Sequence, residues 1–237
     1  MDLSKLKRDL KNHADRKQAE MLKRFFKTGP GEYAQDDLFL GLKAPVLRAL
    51  AKEYQGLEFG QVLELLKSPI HEERLLALLI FILKYRKGSL AEKEKIYQAY
   101  IKYCRYINNW DLVDVTARHI VGDYLQNSDK RALYKLANSD SLWKRRIAIL
   151  STFHFIGNND FKDALKIAEI LITDRQDLIQ KALGWMLREI GKRSLATEEA
   201  FLRKYCRVMP RTMLRYAIER FPENKRQAYL RVFSKSR

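Results

Sequence analysis

The sequence predicts an all-α protein, and three observations carry that expectation. Apolar residues recur at spacings of three and four in segments of about 10 to 18 residues, the period of a helix buried along one face. No sustained alternation of apolar and polar residues marks a strand. The punctuation between segments is short: TGPGEY after Lys27, SP at Ser68, NN at Asn108, NSD at Asn127 and Asn138, GNND at Gly157, MP at Met209 and a lone Pro222.

Taken in order, the first helix is predicted over 3 to 27, ending at TGPGEY. Helices over 44 to 55 and 58 to 67 follow, the second stopped by Ser68-Pro69. The next, 71 to 86, holds LLALLIFIL at Leu75 to Leu83, an apolar run of the length of a buried helix and far short of the roughly 18 residues of a membrane span. Helices over 89 to 105 and 110 to 126 are separated by Asn108-Asn109. The two NSD stretches precede helices over 129 to 138 and 141 to 155, and GNND precedes 160 to 172. The remainder are predicted over 177 to 191, 196 to 206, 211 to 221 and 223 to 234.

Alternate helices overlay. The segments opening at His71, Trp110, Trp143, Asp177 and Thr212 start 39, 33, 34 and 35 residues apart. That spacing suits a two-helix repeat in which no pair buries its apolar face alone, so the expected architecture is an α-solenoid of HEAT type, with concave and convex faces, in a single domain over 1–237. Near the fourth or fifth position of each overlaid helix stand Arg74, Arg146, Lys181 and Arg215, but the helix opened by Trp110 places Asp114 there. One repeat inverts the charge.

The chain has 46 Lys and Arg against 29 Asp and Glu, a net charge of +17, and 46% of its 237 residues are hydrophobic. A substantial core is expected, and a surface field that attracts a polyanion. From Arg175 to the end there are sixteen bases and six acids, so the basic surface is heaviest toward the C-terminus. Nucleic acid is favoured over membrane, because charged residues interrupt every helix and none carries the bulky apolar stripe of an interfacial anchor. The N-terminus, MDLSKLKRDLKNHADRK, lacks the apolar core of a secretory signal, and Cys104 and Cys206 are too far apart for a C-x-x-C motif. A soluble cytoplasmic protein is expected. The four histidines, His13, His71, His119 and His154, show no ligand spacing and are expected on helix surfaces or in the core, with no metal and no cofactor.

Trp110 and Asp114 are four residues apart and share a helix face, so an indole and a carboxylate project together. Asn109 suits the N-cap of that helix, and Asp111 suits its first turn, where the helix dipole favours an acid. For Asp114 the choice lies between an ion pair with a neighbouring repeat and a functional carboxylate. Trp143 occupies the position equivalent to Trp110 and is expected to pack repeat on repeat. Trp185 is followed by Arg188 and Lys192, an aromatic among bases that suits a nucleic-acid surface.

Four ordered stretches carry a resemblance: FFKTGPGEYAQDDLFLGLKAPVLRAL at 25 to 50, WDLVD at 110 to 114, WKRRIAIL at 143 to 150 and IQKALGWMLREIGK at 179 to 192. Over nearly the whole chain they resemble the bacterial AlkD-like DNA alkylation-repair glycosylases. The resemblance implies a monomeric, nucleoid-associated enzyme that wraps duplex DNA on a basic concave face. It also implies excision of cationic purines such as 3-methyladenine and 7-methylguanine. It makes Asp114, Trp110 and Trp185 catalytic and places Arg146 at the catalytic site. Arg188 comes to the DNA backbone and Phe25 to the position of a family tyrosine, without its hydroxyl. Arg145, Lys181, Lys192 and Lys43 complete the expected DNA-binding set. Lys43-Ala44 stands where the best-known member has Gln-Thr, and Asp177-Leu178 where it has two phenylalanines. The alternative reading is a non-catalytic binder of bent or branched DNA on the same fold.

Overall fold

The computed structural model describes residues 1–234. Two compact units divide at Thr116. The first carries α1 (Leu3–Asn12), α2 (Arg16–Phe25), α3 (Ala44–Glu53), α4 (Phe59–Leu66), α5 (His71–Lys87), α6 (Leu90–Lys102), a 3-10 turn (Cys104–Tyr106) and α7 (Trp110–Asp114). The second opens with a π-helical stretch (Arg118–Gly122) and α8 (Asp123–Leu125). It continues with α9 (Arg131–Ala137), α10 (Leu142–Gly157), α11 (Lys162–Leu171), α12 (Asp177–Gly191), α13 (Leu195–Tyr205), α14 (Arg211–Ala217), a 3-10 turn (Ile218–Arg220) and α15 (Glu223–Ser234). The protein is all-α: among the described residues the one extended pairing is an isolated bridge from Leu38 to Ile70.

In the first unit α5 is the hub, packed against α3, α4, α6 and α7. Its LLALLIFIL stretch is buried almost throughout, with Leu76, Ala77, Leu78, Ile80 and Phe81 sealed, as a run without polar interruption requires. In the second unit α10, α12 and α14 pack in succession, with α9, α11 and α13 set against them. The close approach of α12 to α14 depends on Gly184, where a β-carbon would sit 2.4 Å from the Met213 carbonyl. Cys104 and Cys206 are both buried and form no disulfide. Among the described residues no helix is long and apolar enough to cross a membrane.

Two of the expected helices are broken. The segment read as 3 to 27 divides at His13 to Asp15: the Asp15 side chain accepts from the Gln18 N–H at 3.0 Å as the N-cap of α2, and its own N–H donates to the Leu40 carbonyl at 2.9 Å. A loop distant in sequence therefore decides that break. The segment read as 110 to 126 yields only the short α7 before the backbone changes to π geometry at Arg118. Thr116 bends its hydroxyl back onto the Leu112 carbonyl and also meets the Tyr100 hydroxyl at 2.9 Å. Such back-bonding disturbs a helix locally.

Candidate functional site

The turn that carries Trp110 and Asp114 is assembled by contacts from three other parts of the first unit. Asn109 caps α7, its side-chain oxygen accepting the Trp110 N–H at 2.8 Å. Trp110 and Asp114 are both half-buried, one helical turn apart. The Trp110 ring stacks on Phe26 at 5.3 Å and meets Phe25 edge-on at 5.6 Å. Phe26 in turn stacks on Phe39 at 5.3 Å. Phe25 is 62% exposed, so the outer face of this aromatic cluster is open to solvent.

Beneath the rings lies a network of charge. His71, the first residue of α5 and 2% exposed, sets its Nδ1 3.2 Å from an Asp37 carboxylate oxygen and its Nε2 2.8 Å from an Asp111 carboxylate oxygen. Asp37 also takes a charged hydrogen bond from Arg74 at 2.6 Å, and Arg74 donates to the Ser68 carbonyl at 3.0 Å. Burial pulls the His71 pKa down, but the hydrogen bonds to Asp111 and Asp37 prevail and push it up to about 9. For Asp37 burial is again the opposing influence, and its hydrogen bond to His71 and the Arg74 charge hold its carboxyl below the usual range. The loop carrying Asp37 is fastened to α5, with the His71 N–H on the Leu38 carbonyl at 2.8 Å. Glu72 accepts the N–H groups of Leu40, Gly41 and Leu42. Gly41 has φ +91°, and a β-carbon there would lie 2.1 Å from the Asp15 carbonyl, so only glycine lets this loop touch the start of α2.

The second unit holds the other expected site residues. Trp185, half-buried on α12, donates from its indole N–H to Glu189 at 3.2 Å and meets Phe153 edge-on at 5.5 Å. Phe153 carries the Arg118 guanidinium on its ring at 4.3 Å. Lys181, Trp185, Arg188 and Lys192 follow one another at four, three and four residues and so form one stripe. Each base in it has an acid at hand: Lys181 pairs with Asp177 at 2.7 Å, Lys192 with Glu189 at 2.6 Å and Arg188 with Glu219. Arg146 is 5% exposed and donates to the Leu178 carbonyl, whereas Arg145 binds Asp174 at 2.6 Å and the Ser139 and Asp140 carbonyls. Lys43 is exposed at the N-cap of α3.

Phe25 and Trp110 are thus brought together in the first unit, and Lys181, Trp185, Arg188 and Lys192 in the second. Three residues with a part in the Trp110 turn were not singled out as functional in the sequence: Asp37, His71 and Glu72. For His71 and Glu72 the sequence signal is an acid-rich opening, HEER, ahead of an apolar run; Asp37, in AQDD, carries none.

The protein is all-α among the described residues and strongly basic, with an indole and a carboxylate on one half-buried turn. The model of the DNA alkylation repair enzyme family matches residues 6–221, and the chain belongs to that family. Among solved structures, a predicted DNA alkylation repair enzyme from Enterococcus faecalis is similar with a TM-score of 0.68 at 18% identity, over 89% of this chain and 98% of that one. At that identity the likeness is one of fold. A Streptococcus mutans UA159 protein is similar over 98% of each chain, with 16% identity and a TM-score of 0.49. No curated protein matches the sequence.

Proposed function

We propose that the protein is a DNA glycosylase that hydrolyses the N-glycosidic bond of cationic alkylated purines, 3-methyladenine and 7-methylguanine, in duplex DNA, as the first step of base excision repair. The observation that carries the reading is the pairing of half-buried Trp110 and Asp114 on one turn of a chain that belongs to the DNA alkylation repair enzyme family. An N-alkylated purine is already a cation and leaves without help from a general acid. The difficulty lies on the sugar, where positive charge develops as the bond to C1′ breaks, as in glycoside hydrolysis. The Asp114 carboxylate stabilises that charge and orients the attacking water, and the faces of Trp110 and Trp185 add cation–π attraction.

In this reading the net charge of +17 draws in the phosphates, with exposed Lys43 as one contact and Lys181, Arg188 and Lys192 as contacts that exchange their carboxylates for phosphate. Arg146 holds the phosphate beside the lesion by exchanging its bond to the Leu178 carbonyl, Arg145 binds DNA by exchanging Asp174, Phe25 lies against the duplex, and the monomer works in the cytoplasm on the nucleoid. Repeats of HEAT type supply the surface.

The test is release of 7-methylguanine and 3-methyladenine from methylated duplex DNA. Release is expected from the wild type and should fall about 10²- to 10³-fold in Asp114→Asn, the usual cost of losing a preorganised charge-stabilising group. Tight, salt-sensitive binding of DNA without release from either protein would overturn the enzyme in favour of a DNA-structure binder.

A further inference from the structure

His71 is a buried titratable group of the first unit to which the mechanism above gives no part. His71 is sealed, and each of its ring nitrogens faces a carboxylate oxygen, Asp37 at 3.2 Å and Asp111 at 2.8 Å. Carboxylates only accept, so a neutral imidazole would turn a lone pair on one of them, and an imidazolium satisfies both. The charges agree. Asp37 and Asp111 contribute two negative charges and Arg74 one positive, so a protonated His71 brings the group to neutrality, and a neutral one leaves a buried negative charge uncompensated.

The geometry also says what the ring holds. Asp37 has a second cation in Arg74, but Asp111 has His71 alone on Oδ2, and its Oδ1 is buried without a partner. Asp111 lies in the five-residue α7 between Trp110 and Asp114. So short a helix does not hold itself. We propose that His71 is a positioning residue: as a doubly donating imidazolium it clamps Asp111, and with it the turn bearing Trp110 and Asp114, to the loop at Asp37. The role of the turn in base release rests on the glycosylase reading; the clamp itself does not.

The groups facing His71 are few. They are Asp37 from the loop, Arg74 from its own helix and Asp111 from α7, together with the uncharged side chain of Asn109, which reaches Asp37 at 3.5 Å. From α2 and the 38–42 loop only rings approach, Phe26 at 4.8 Å and Phe39 at 4.7 Å. Glu72, its neighbour on α5, is occupied by the amides of Leu40 to Leu42. Both oxygens that bind the ring are therefore accounted for, and the proton on each nitrogen has one destination.

Two readouts on the full-length protein test this. Nitrogen-15 NMR of the histidine rings at pH 7.5 is expected to find both nitrogens of His71 protonated, titrating near the value of about 9 set by the two hydrogen bonds. With fluorotryptophan incorporated and the Trp110 resonance assigned through Trp110→Phe, that resonance is expected to shift with the same midpoint. The Trp143 and Trp185 resonances are expected not to follow. A neutral His71 ring at pH 7.5, or a Trp110 resonance indifferent to its titration, overturns the clamp. In His71→Gln, single-turnover base release is expected to fall about 10- to 100-fold, the cost of misplacing a reacting group by about an ångström, with DNA affinity unchanged. An equal loss in affinity and rate would mean general unfolding, and Asp111→Asn then repeats the measurement with α5 intact; a normal rate in that variant also overturns the proposal. If the wild type releases no base, the glycosylase reading fails, and the ring and fluorine signals still decide the clamp.

Discussion

The two units each carry a tryptophan with a carboxylate four residues further on, Trp110 with Asp114 and Trp185 with Glu189, and they use the arrangement differently. On α12 the helix runs unbroken for 15 residues and the carboxylate is fully engaged by its own helix: Glu189 accepts from Trp185 and pairs with Lys192 and Arg193. Burial opposes the effect, but the Lys192 hydrogen bond and charge prevail and hold its carboxyl below the usual range. On α7 the helix lasts five residues, and Asp111, the residue after Trp110, is held by His71 from another helix. An acid satisfied by neighbours three and four residues away is anchored wherever its helix goes. The Trp110 turn depends on residues far off in the chain, which makes its placement adjustable by evolution and vulnerable to single substitutions.

The sharpest way to break the contrast is Asp37→Ala, which strips one buried carboxylate from both His71 and Arg74. A loss of about 3–5 kcal/mol is expected, as for a buried pair deprived of one partner. Denaturant unfolding measures it, and a loss below about 1 kcal/mol would mean that the network carries little. The wild type should show the same linkage as a pH dependence. The folded pKa of His71, about 9, lies above its ordinary 6.5, so its stabilisation is fully present below pH 6.5 and is lost as pH rises through 9. Thermal unfolding followed from pH 6 to 10 checks the sign.

The second unit offers the opposite case in Glu198, an acid 2% exposed whose Oε1 is buried without a hydrogen-bond partner. Burial, aided by the Glu199 charge, pushes its pKa up to about 8 from 4.5. The folded protein therefore holds a proton that the unfolded chain releases, and stability falls as pH rises from 4.5 toward 8. Glu198→Gln is expected to raise stability at pH 8.5 by about 1–3 kcal/mol and to flatten that slope. The smallest effect is expected from Glu189→Gln. Its basic partners are partly exposed, so about 0.5–1 kcal/mol is lost, and the near-ultraviolet circular dichroism of Trp185 against Phe153 should persist.

Much of this was legible in the sequence where the cause is local. The helices opening at His71, Trp110 and Arg211 begin where short polar or proline punctuation placed them, the helix expected over 177 to 191 has those bounds, and Asn109 caps α7 as its side chain suggests. The apolar run of α5 is buried, and of the two placements that the lack of ligand spacing left open, helix surface or core, His71 takes the core. The break at Asp15 was hidden because Asp15 reads as an ordinary surface acid until Leu40 supplies its backbone partner. The end of α7 was hidden for a similar reason: Thr116 is unremarkable until the Tyr100 hydroxyl meets it. In the candidate site, the tryptophans and Asp114 could be found by spacing and family likeness. The His71 network could not, because Asp37 lies in a loop between helices and a repeat spacing does not say which side chains meet, so the contacts over 34 and 40 residues leave no mark in the sequence.

Those separations also govern the order of assembly. The Glu72 bonds to the loop at Leu40 close 32 residues, the His71 bond to Asp111 closes 40, and the Asn109 bond to Asp37 closes 72. Loop closure of this length is an entropic charge met before any contact rewards it, and α7 is too short to nucleate ahead of it. During synthesis α5 and its loop can associate as soon as both have emerged, but the imidazolium lacks its second carboxylate until Asp111 leaves the ribosome. The Trp110 turn is then a late arrival in folding, and its amides should exchange with solvent sooner than those of α12.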